Sequence, residues 1–486
     1  MTYSEAVAKF GEYGEILEVR HPIVSVAGLP GVTASEMVIF EDETIGQVMS
    51  FNRDIVTIMA LSNNILPVGL KAARLGTAMS VPVGDDLLGK VIDPIGTLLI
   101  FKRPLPVLNW QALLDVAPLP ITARSRVDKT LLTGTSLVDL LIPLGRGQRE
   151  LVVGDRKTGK TSFLFNVMKT QCLAGTIVIY AAIGKPSQEI HKIIDYINNE
   201  GINDKTVVVA STSSDVSSHI YLTPFTAMAL AEFWRNSGHD VLVILDDLST
   251  HAKYFRELSL LARKFPGHDS YPGDSFYTHA RLLERAGKYK TGSISCLAVA
   301  ETTSNDLTDY IVSNLIGITD GHILFDSQLY LRGNRPAINA LLSVSRVGHQ
   351  TCNHLHQEIS QTLTAFLVEY ERVLDFSHFG EDTSESVVKT LRRGERLLAF
   401  LNQAVEIVMP LPVQLTFIGM LWNDFFTDLQ PARISGYRET LTKAFNEHSH
   451  VSFLIDTCVA AEDFKALIAF VSDHRVELLA ACGIKS

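Results

Sequence analysis

The first part of the chain carries short runs of Val, Ile and Phe that are separated by Gly, Asn and Pro. Between about Gly11 and Leu75 these runs include "GEILEVRHPIVSVAG", "SEMVIFE", "TIGQVMSFN" and "DIVTIMAL". Branched and aromatic residues favour extended backbone, and the separating residues favour turns. Short strands at such close spacing are typical of a small barrel or sandwich. We therefore expect residues 1–77 to form a small N-terminal β-barrel.

From about Val81 to Gly348 longer apolar runs alternate with helical stretches. Runs such as "ELVVGD", "TIVIYAAIG", "TVVVAST" and "DVLVILDD" are almost continuously apolar. Such strands indicate a mostly parallel sheet that is buried on both faces. From about Cys352 onward the apolar residues recur at helical spacing. The pattern predicts a multidomain α/β protein, with a parallel-sheet domain over residues 78–351 and an α-helical domain over residues 352–486.

Composition and charge narrow the class of protein. A chain of 486 residues is too long for one hydrophobic core, and 46% hydrophobic with 20% charged residues fits a folded globular protein. The net charge of -10 argues against a nucleic-acid partner. Five cysteines without paired spacing fit a reducing compartment. We recognise neither a signal peptide nor an apolar run of about 20 residues, so any membrane association is expected through partner proteins.

A glycine-rich turn between a strand and a helix is the clearest chemical signal. The pattern Gly-x-x-x-x-Gly-Lys-Thr follows the apolar "ELVV" and opens the helical "TSFLFNVMK". Glycines let backbone N–H groups face phosphate oxygens, and the helix N-terminus adds positive potential. The lysine would reach the β- and γ-phosphates of a bound nucleotide. The residues expected to bind the nucleotide are Gly154, Asp155, Arg156, Lys157, Thr158, Gly159, Lys160 and Thr161.

A magnesium site is expected with this loop. The Thr161 hydroxyl would coordinate Mg²⁺ directly, as in other phosphate loops. Asp246 ends the apolar run "DVLVILDD", where a carboxylate can hold the metal through water. Either aspartate of this pair could instead cap the following helix. We favour Asp246 for the metal and a structural role for Asp247.

The position where a catalytic carboxylate is expected holds a lysine. Hydrolysis of a γ-phosphate needs a group that orients or deprotonates water. That group often follows the strand after the phosphate-loop helix, and here the strand "TIVIYAAIG" is followed by Lys185. A charged lysine cannot accept a proton. The sequence therefore predicts nucleotide binding with poor hydrolysis, unless Glu189 or a residue of a neighbouring chain supplies the base.

An arginine follows the last apolar run of the central domain. Arg346 stands in "SVSRVG", just before Gly348. An arginine at a domain edge can project into a neighbour's site and neutralise charge on a γ-phosphate in the transition state. A surface ion pair is the other interpretation of a single arginine, and the spacing alone favours it.

Several long motifs together resemble the alpha subunit of F-type ATP synthase. They are "VPVGDDLLGKVIDPIG", "IPLGRGQRELVVGDRKTGKTS", "VILDDLSTHAKYFRELSLLARKFPG", "YPGDSFYTHARLLERAGK", "ITDGHILFD" and "RPAINALLSVSRVG". The resemblance extends from about Gly14 into the C-terminal helices. It implies a β-barrel, a RecA-like P-loop domain and a helical domain. It also implies a hexameric ring in which this chain alternates with beta subunits around a central-stalk gamma subunit.

The same resemblance assigns roles to the chain and to particular residues. It implies an alpha subunit that binds Mg-ATP without turning it over, within a complex that couples ATP synthesis or hydrolysis to ion transport. Arg346 would be lent to the catalytic site of the beta subunit, and Arg335 and Gln403 would contact the nucleotide. The complex would lie on the cytoplasmic face of the bacterial inner membrane. Peripheral-stalk subunits are further expected partners, although the short N-terminus counts against the contact to delta.

Two loop positions depart from the family pattern. Lysine replaces the usual glutamine at Lys185, where it could contact a phosphate or face solvent, and at Lys157.

Two other classes of protein share the phosphate loop. A homohexameric secretion or flagellar-type ATPase should carry glutamate where Lys185 stands. A ring-shaped RNA translocase should carry stacking aromatics in its N-terminal barrel, which is poor in aromatics and in positive charge here.

Overall fold

A computed structural model of the chain describes residues 1–99, 103–104, 110–377, 385–404, 407–427 and 429–484. The predicted central and C-terminal domains each include residues outside this part. The chain forms two compact units, and the first comprises Met1–Ser125, Gly175–Glu301 and Leu307–Thr319. The second comprises Arg126–Ala174, Thr302–Asp306 and Asp320–Ser486. The boundaries expected near residues 77 and 351 stay a prediction.

The N-terminal segment is a closed six-stranded barrel, as the sequence predicts. It contains helix α1 (Tyr3–Phe10) and strands β1 (Gly14–Arg20), β2 (Ile23–Ala27), β3 (Glu36–Phe40), β4 (Ile45–Phe51), β5 (Val56–Ala60) and β6 (Lys71–Ala78). The strands pair antiparallel in the order β1-β2-β5-β4-β3-β6. Apolar side chains fill the interior, among them Ile16, Val26, Phe40 and Ile58. Closure leaves the barrel without an unpaired strand edge.

The central segment alternates strands with helices. Its elements are β7 (Ser80–Val83), β8 (Val91–Ile92), β9 (Thr97–Leu98), β10 (Arg103–Pro104), β11 (Trp110–Leu113), β12 (Thr130–Leu131), α2 (Ser136–Leu141), β13 (Leu144–Gly145), β14 (Arg149–Gly154), α3 (Lys160–Leu173), β15 (Ile177–Lys185), α4 (Ser187–Asn199), β16 (Thr206–Thr212), α5 (Ser217–Asn236), β17 (Asp240–Asp246), α6 (Leu248–Leu261), α7 (Ser275–Leu283), β18 (Gly287–Lys288), β19 (Ser293–Glu301), α8 (Tyr310–Ile318), β20 (Gly321–Phe325), α9 (Ser327–Leu331) and β21 (Val344–Ser345).

Parallel strands form the core of the first unit. Strands β8, β16, β15, β17 and β19 lie side by side in that order and are all parallel. Strand β9 continues the sheet antiparallel to β8, and β18 pairs antiparallel with β19. Every residue from Ile177 to Ile183 in β15 is buried, so both faces of this strand are covered. The predicted, mostly parallel sheet is confirmed.

The second unit contains the strands that frame the glycine-rich turn and Arg346. Strand β14 pairs parallel with β20, with Gly154 opposite Phe325. Strand β20 pairs antiparallel with β21, with Gly321 opposite Ser345. Helix α3 begins six residues after the end of β14, so one short turn connects the strand to the helix.

The C-terminal segment is helical, again as the sequence predicts. Its helices are α10 (His354–Ser377), α11 (Glu385–Leu401), α12 (Leu411–Trp422), α13 (Ile434–Glu447), α14 (Ser449–Val459), α15 (Phe464–Asp473) and α16 (Arg475–Ala481). A row of stacked rings, Phe400, Phe417 and Phe426, lies in its core with centroids 4.7 and 4.9 Å apart. Within the described ranges, no helix of the chain has both the length and the apolar character needed to cross a bilayer.

Candidate nucleotide-binding site

The turn after β14 has the backbone conformation that its glycines allow. Gly154 has φ of 153°, and a β-carbon there would lie 2.3 Å from the carbonyl oxygen of Phe325. Gly159 has φ of 98°, and helix α3 begins at the next residue. Both φ values lie in a region that glycine adopts readily and in which residues with a β-carbon are strained. The predicted loop of backbone N–H groups therefore leads directly into the N-terminus of a 14-residue helix.

Lys160 is held by the loop that it follows. Its ammonium donates hydrogen bonds to the carbonyl oxygens of Gly154 at 2.6 Å and Asp155 at 2.7 Å. Only 8% of the residue is exposed. The hydroxyl of Thr158 donates to the same Asp155 carbonyl at 2.8 Å. These bonds keep positive charge on the loop, where the sequence places the β- and γ-phosphates.

The Asp155 carboxylate ties the loop to the segment after β19. Its Oδ1 accepts a hydrogen bond from the Thr302 hydroxyl at 2.7 Å and from the Asn305 backbone N–H at 2.9 Å. The Asn305 amide also donates to Asp326 at 3.2 Å. The position of the loop is thus fixed by hydrogen bonds within the protein. Sequence reasoning missed Thr302 and Asn305, because they lie about 150 residues beyond the loop and belong to no recognised motif.

Three loop residues lie on the outside. Arg156, Lys157 and Thr161 are exposed, and Lys157 has φ of 64°. Exposure suits their expected roles, since guanidinium, ammonium and hydroxyl groups can reach a phosphate or a phosphate-bound cation. Their contacts to a nucleotide stay predictions.

In the first unit, Asp246 lies in a compact polar cluster. Its Oδ1 is 2.9 Å from the Lys185 ammonium, and its Oδ2 accepts a hydrogen bond from the Tyr180 hydroxyl at 2.6 Å. The Lys185 ammonium is also 3.6 Å from Asp247. The Lys185 side chain is only 14% exposed, so the interpretation that it faces solvent is wrong. It bends onto a carboxylate because β15 and β17 are neighbouring strands.

Charge explains why this buried lysine stays protonated. Burial by itself would lower the pKa of Lys185, but the carboxylates of Asp246 and Asp247 outweigh it and raise the pKa. The pKa of Tyr180 is raised well above its usual range by burial and by the adjacent Asp246 charge. Tyr180 therefore stays a hydrogen-bond donor at neutral pH.

Asp247 has the structural role that the sequence predicts. It is the N-cap of α6, and its Oδ1 accepts a hydrogen bond from the Thr250 backbone N–H at 2.5 Å. Burial raises the pKa of this carboxyl group, although Lys185 acts in the opposite direction. The other acidic candidate, Glu189, is exposed in the first turn of α4.

Arg346 follows β21 in the second unit and is exposed. Its backbone N–H donates to the Asp320 carbonyl at 3.0 Å. The Ser345 hydroxyl donates to the Pro143 carbonyl at 2.6 Å and accepts from the Gln148 amide at 3.1 Å. A β-carbon at Gly348 would lie 1.6 Å from the Pro143 oxygen. The backbone on both sides of Arg346 is thus fixed by close contacts.

A buried acid lies near this arginine. Gln148 donates to Glu150 at 2.7 Å, and burial raises the pKa of Glu150 well above its usual range. The positive charge of Arg346 partly opposes that rise, so the two side chains interact electrostatically. Sequence reasoning missed this network, because Gln148 and Glu150 read as ordinary residues at the start of an apolar strand.

Arg335 and Gln403 lie next to each other. The backbone N–H of Gln403 donates a hydrogen bond to the Arg335 carbonyl at 2.6 Å. The Arg335 guanidinium lies 3.7 Å from the centroid of the Tyr330 ring and donates to the Tyr330 carbonyl at 2.9 Å. The Gln403 amide is engaged internally. It accepts from the Ser136 N–H at 3.0 Å and donates to the Gly134 carbonyl at 2.7 Å. Contact of either side chain with a nucleotide stays a prediction.

Together the barrel, the parallel sheet and the glycine-rich turn define a protein with a P-loop nucleotide-binding domain. Two comparisons with family models agree. Residues 134–345 match the nucleotide-binding domain of the ATP synthase alpha/beta family, and residues 353–470 match the C-terminal domain of ATP synthase alpha/beta chains. The chain belongs to the ATP synthase alpha/beta family, within which it groups with the alpha subunits of F-type ATP synthase.

Curated relatives support this placement over nearly the whole chain. The chain is similar to an ATP synthase subunit alpha of Caldanaerobacter subterraneus, with 36% identity over 90% of this chain and 87% of the relative. It is 34% identical to the Clostridium acetobutylicum protein of the same name, over 90% of this chain and 87% of that protein. The chain is 35% identical to a Clostridium botulinum ATP synthase subunit alpha, over 91% of this chain and 89% of that protein.

Proposed function

We propose that this chain is the non-catalytic, regulatory nucleotide-binding alpha subunit in the soluble head of a rotary F-type ATP synthase. In this proposal the chain binds Mg-ATP and lends Arg346 to the catalytic site of a neighbouring beta subunit. It alternates with beta subunits in a hexameric ring around gamma, and peripheral-stalk subunits hold the ring. The complex lies on the cytoplasmic face of the bacterial inner membrane and couples ATP synthesis or hydrolysis to ion transport.

One observation carries the non-catalytic assignment. Lys185 ends β15, where hydrolysis would need a carboxylate to orient the attacking water. Its ammonium is bound to Asp246 at 2.9 Å, and its pKa is raised, so it cannot accept a proton at neutral pH. Glu189 is exposed in the first turn of α4. The strand end thus favours retention of the nucleotide over its hydrolysis.

The loop geometry supports binding of a triphosphate. Lys160, the exposed hydroxyl of Thr161 and the start of α3 combine positive potential with donors for phosphate oxygens. Thr161 suits the direct magnesium ligand, and the ion would screen the charge of the triphosphate. Arg335 is proposed as a further nucleotide contact. Gln403 could contribute its side chain only after releasing its bonds to Ser136 and Gly134.

The position of Arg346 supports its role in a neighbouring site. The residue is exposed, yet its backbone is fixed through Asp320 and Ser345. A guanidinium on a fixed backbone can be held at a γ-phosphate without a large loss of conformational entropy. In the assembled complex it would stabilise the charge that develops on the transferred phosphoryl group.

The test is to measure binding and turnover on the same preparation of the purified full chain. We expect calorimetry to detect ATP binding and steady-state phosphate release to be very slow. Lys160→Ala serves as the control, since loss of the loop ammonium should abolish binding. Rapid phosphate release by the chain alone would contradict the proposal and favour a homohexameric secretion or flagellar-type ATPase.

A further inference from the structure

The side chain of Glu150 lies across the sheet of the second unit, toward the strand that precedes Arg346. Glu150 in β14 pairs with Gly321 in β20, and Gly321 pairs with Ser345 in β21, so the three residues form one row. A β-carbon on Gly321 would lie 2.7 and 2.8 Å from the two carboxyl oxygens of Glu150. The carboxyl group therefore lies over Gly321, and Arg346 follows the far end of the row.

One amide joins this carboxyl group to the residue beside the arginine. Gln148 Nε2 donates hydrogen bonds to Glu150 Oε2 at 2.7 Å and to Ser345 Oγ at 3.1 Å. Gln148 Oε1 accepts from the Gly145 backbone N–H at 2.8 Å, which fixes the direction of the amide. Glu150 is thus coupled to the backbone from which Arg346 projects.

The second carboxyl oxygen of Glu150 lacks a partner. The residue is only 1% exposed, and no hydrogen bond reaches its Oε1 from the described part of the chain. Ionisation would leave a buried charge with too few donors, so burial raises the pKa of Glu150. The charge of Asp320 raises the pKa further, while Gln148 and Arg346 oppose the rise. These surroundings favour the neutral acid.

The charged groups near this row leave Arg346 as the counter-charge for an ionised Glu150. Arg149 already pairs with Asp320 at 2.6 Å. The pKa of His322 is lowered by burial and by the charge of Arg346, so its ring carries no positive charge at neutral pH. Among the described residues, Arg346 is the cation whose charge acts on Glu150. A buried carboxylate at position 150 would therefore draw the guanidinium toward itself.

We propose that Glu150 is a positioning residue for Arg346. As a neutral acid it allows the guanidinium to extend to the neighbouring beta subunit, and as a carboxylate it holds the guanidinium within its own chain. The inference rests on the proposed function, namely that Arg346 acts in the site of a neighbour. It makes the charge of one buried carboxyl group a control on catalysis in another subunit.

The first experiment measures the rate of ATP hydrolysis by the assembled complex against pH. As the pH rises past the pKa of Glu150, the unaltered complex should lose rate about tenfold per pH unit relative to Glu150→Gln. Glutamine keeps the shape of the neutral acid and cannot ionise, so the variant should not show this loss. Glu447→Gln changes an exposed glutamate of the second unit, and this matched control should follow the unaltered profile.

Infrared spectra of the purified full chain locate the ionisation independently of activity. A protonated carboxyl group has a carbonyl band that vanishes on ionisation, so subtraction of the Glu150→Gln spectrum isolates the band of Glu150. We expect the band at pH 7 and its loss over the same pH interval as the rate. Thermal unfolding of the same samples checks that the variant folds. Absence of the band at pH 7, or rate profiles that coincide at every pH at which the complex stays assembled, would overturn the inference.

Removal of Arg346 separates positioning from stability. In the Arg346→Ala background, Glu150→Gln should leave the residual rate and its pH profile unchanged, because no guanidinium remains to be positioned. A further fall in that residual rate would show a structural role for Glu150 and overturn the inference. If Arg346→Ala alone leaves the rate of the complex unchanged, the proposed role of Arg346 fails instead, whatever the infrared spectra show.

Discussion

Two cations of this chain, Lys185 and Arg346, lie at strand ends but are held in opposite ways. Lys185 is buried, and the side chains of Asp246 and Asp247 neutralise its charge. Arg346 is exposed, and its position is set through backbone contacts of its own residue and of Ser345. The first arrangement confines a charge within its own unit. The second presents a guanidinium at the surface from a backbone position that is fixed by hydrogen bonds.

Burial has opposite consequences for a basic side chain that has carboxylate partners and for one that has none. Lys185 keeps its proton because two carboxylates face it. The buried histidines His251 and His279 face each other instead, with ring nitrogens 3.0 Å apart, and burial lowers their pKa values to about 4 and about 3. The Tyr221 carbonyl accepts the Nε2 hydrogen of His251 at 3.0 Å, so His251 Nδ1 accepts from His279. A buried pair without a counter-charge is therefore neutral.

The largest effect is expected from Arg346→Ala. Loss of a guanidinium that stabilises a phosphoryl-transfer transition state costs about 10³-fold or more in rate. The ATPase activity of the assembled complex should fall by that factor, while ATP binding to the isolated chain stays unchanged.

Arg332→Ala, another exposed arginine of the second unit, is the control for Arg346→Ala and should leave the rate unchanged. Loss of ATP binding in Arg346→Ala would show instead that the arginine serves this chain's own site. The contrast with Lys185 would then fail, because both cations would act within one subunit.

A smaller effect is expected from acid acting on the histidine pair. The folded-state pKa values lie below the usual 6.5, so the unfolded chain binds more protons once the pH falls below about 6.5. The stabilising contribution is complete above that pH and is lost as the pH falls toward about 4. The free energy of unfolding should fall by up to about 1.4 kcal/mol per pH unit for each histidine.

Chemical unfolding at several pH values between 7.5 and 5 measures this loss. His279→Gln should reduce the slope, and the exposed His191→Gln should not change it. An unchanged slope in His279→Gln would mean that the pair is not neutral in the folded chain, and that burial without a counter-charge does not have the effect inferred above.

The smallest effect is expected from Ser345→Ala. This change removes the hydroxyl that bonds Pro143 and Gln148 beside Arg346. We expect the rate of the assembled complex to fall about tenfold, because small displacements of a group that touches the transition state are costly. The free energy of unfolding should fall by about 1 kcal/mol.

Ser343→Ala provides a matched control on the same segment. Its hydroxyl donates to the Asn339 carbonyl at 2.6 Å and accepts from the Leu324 N–H at 2.9 Å, so a similar loss of stability is expected. The rate should change only for Ser345→Ala. Equal rate losses in both variants would indicate general destabilisation and not positioning of Arg346.

Local patterns were enough to predict the elements of this fold. Strand β15 is apolar on both faces and was recognised as a buried parallel strand from that run alone. The phosphate loop was recognised because its glycines, lysine and helix start are contiguous in sequence. The cap made by Asp247 was foreseen for the same reason, since an N-cap bonds a backbone N–H three residues later.

Contacts between distant parts of the chain could not be predicted in this way. Lys185 reaches Asp246 because β15 and β17 are neighbours in the sheet, and nothing in the spacing of 61 residues indicates that adjacency. The internal bonds of Gln403 to Ser136 and Gly134 are of the same kind. The surroundings of Asp246, which was predicted from a local motif, and of Gln403, which was assigned by resemblance, were both set by contacts that the sequence could not supply.

The tight approach of Gly348 to the Pro143 oxygen has a consequence for how this chain can change over evolutionary time. Any larger residue at position 348 would displace the segment that carries Arg346, since even a methyl group would lie 1.6 Å from that oxygen. Under the proposed role of Arg346, substitutions at this glycine should therefore be selected against through lost activity of the complex, even in lineages where the chain itself still folds.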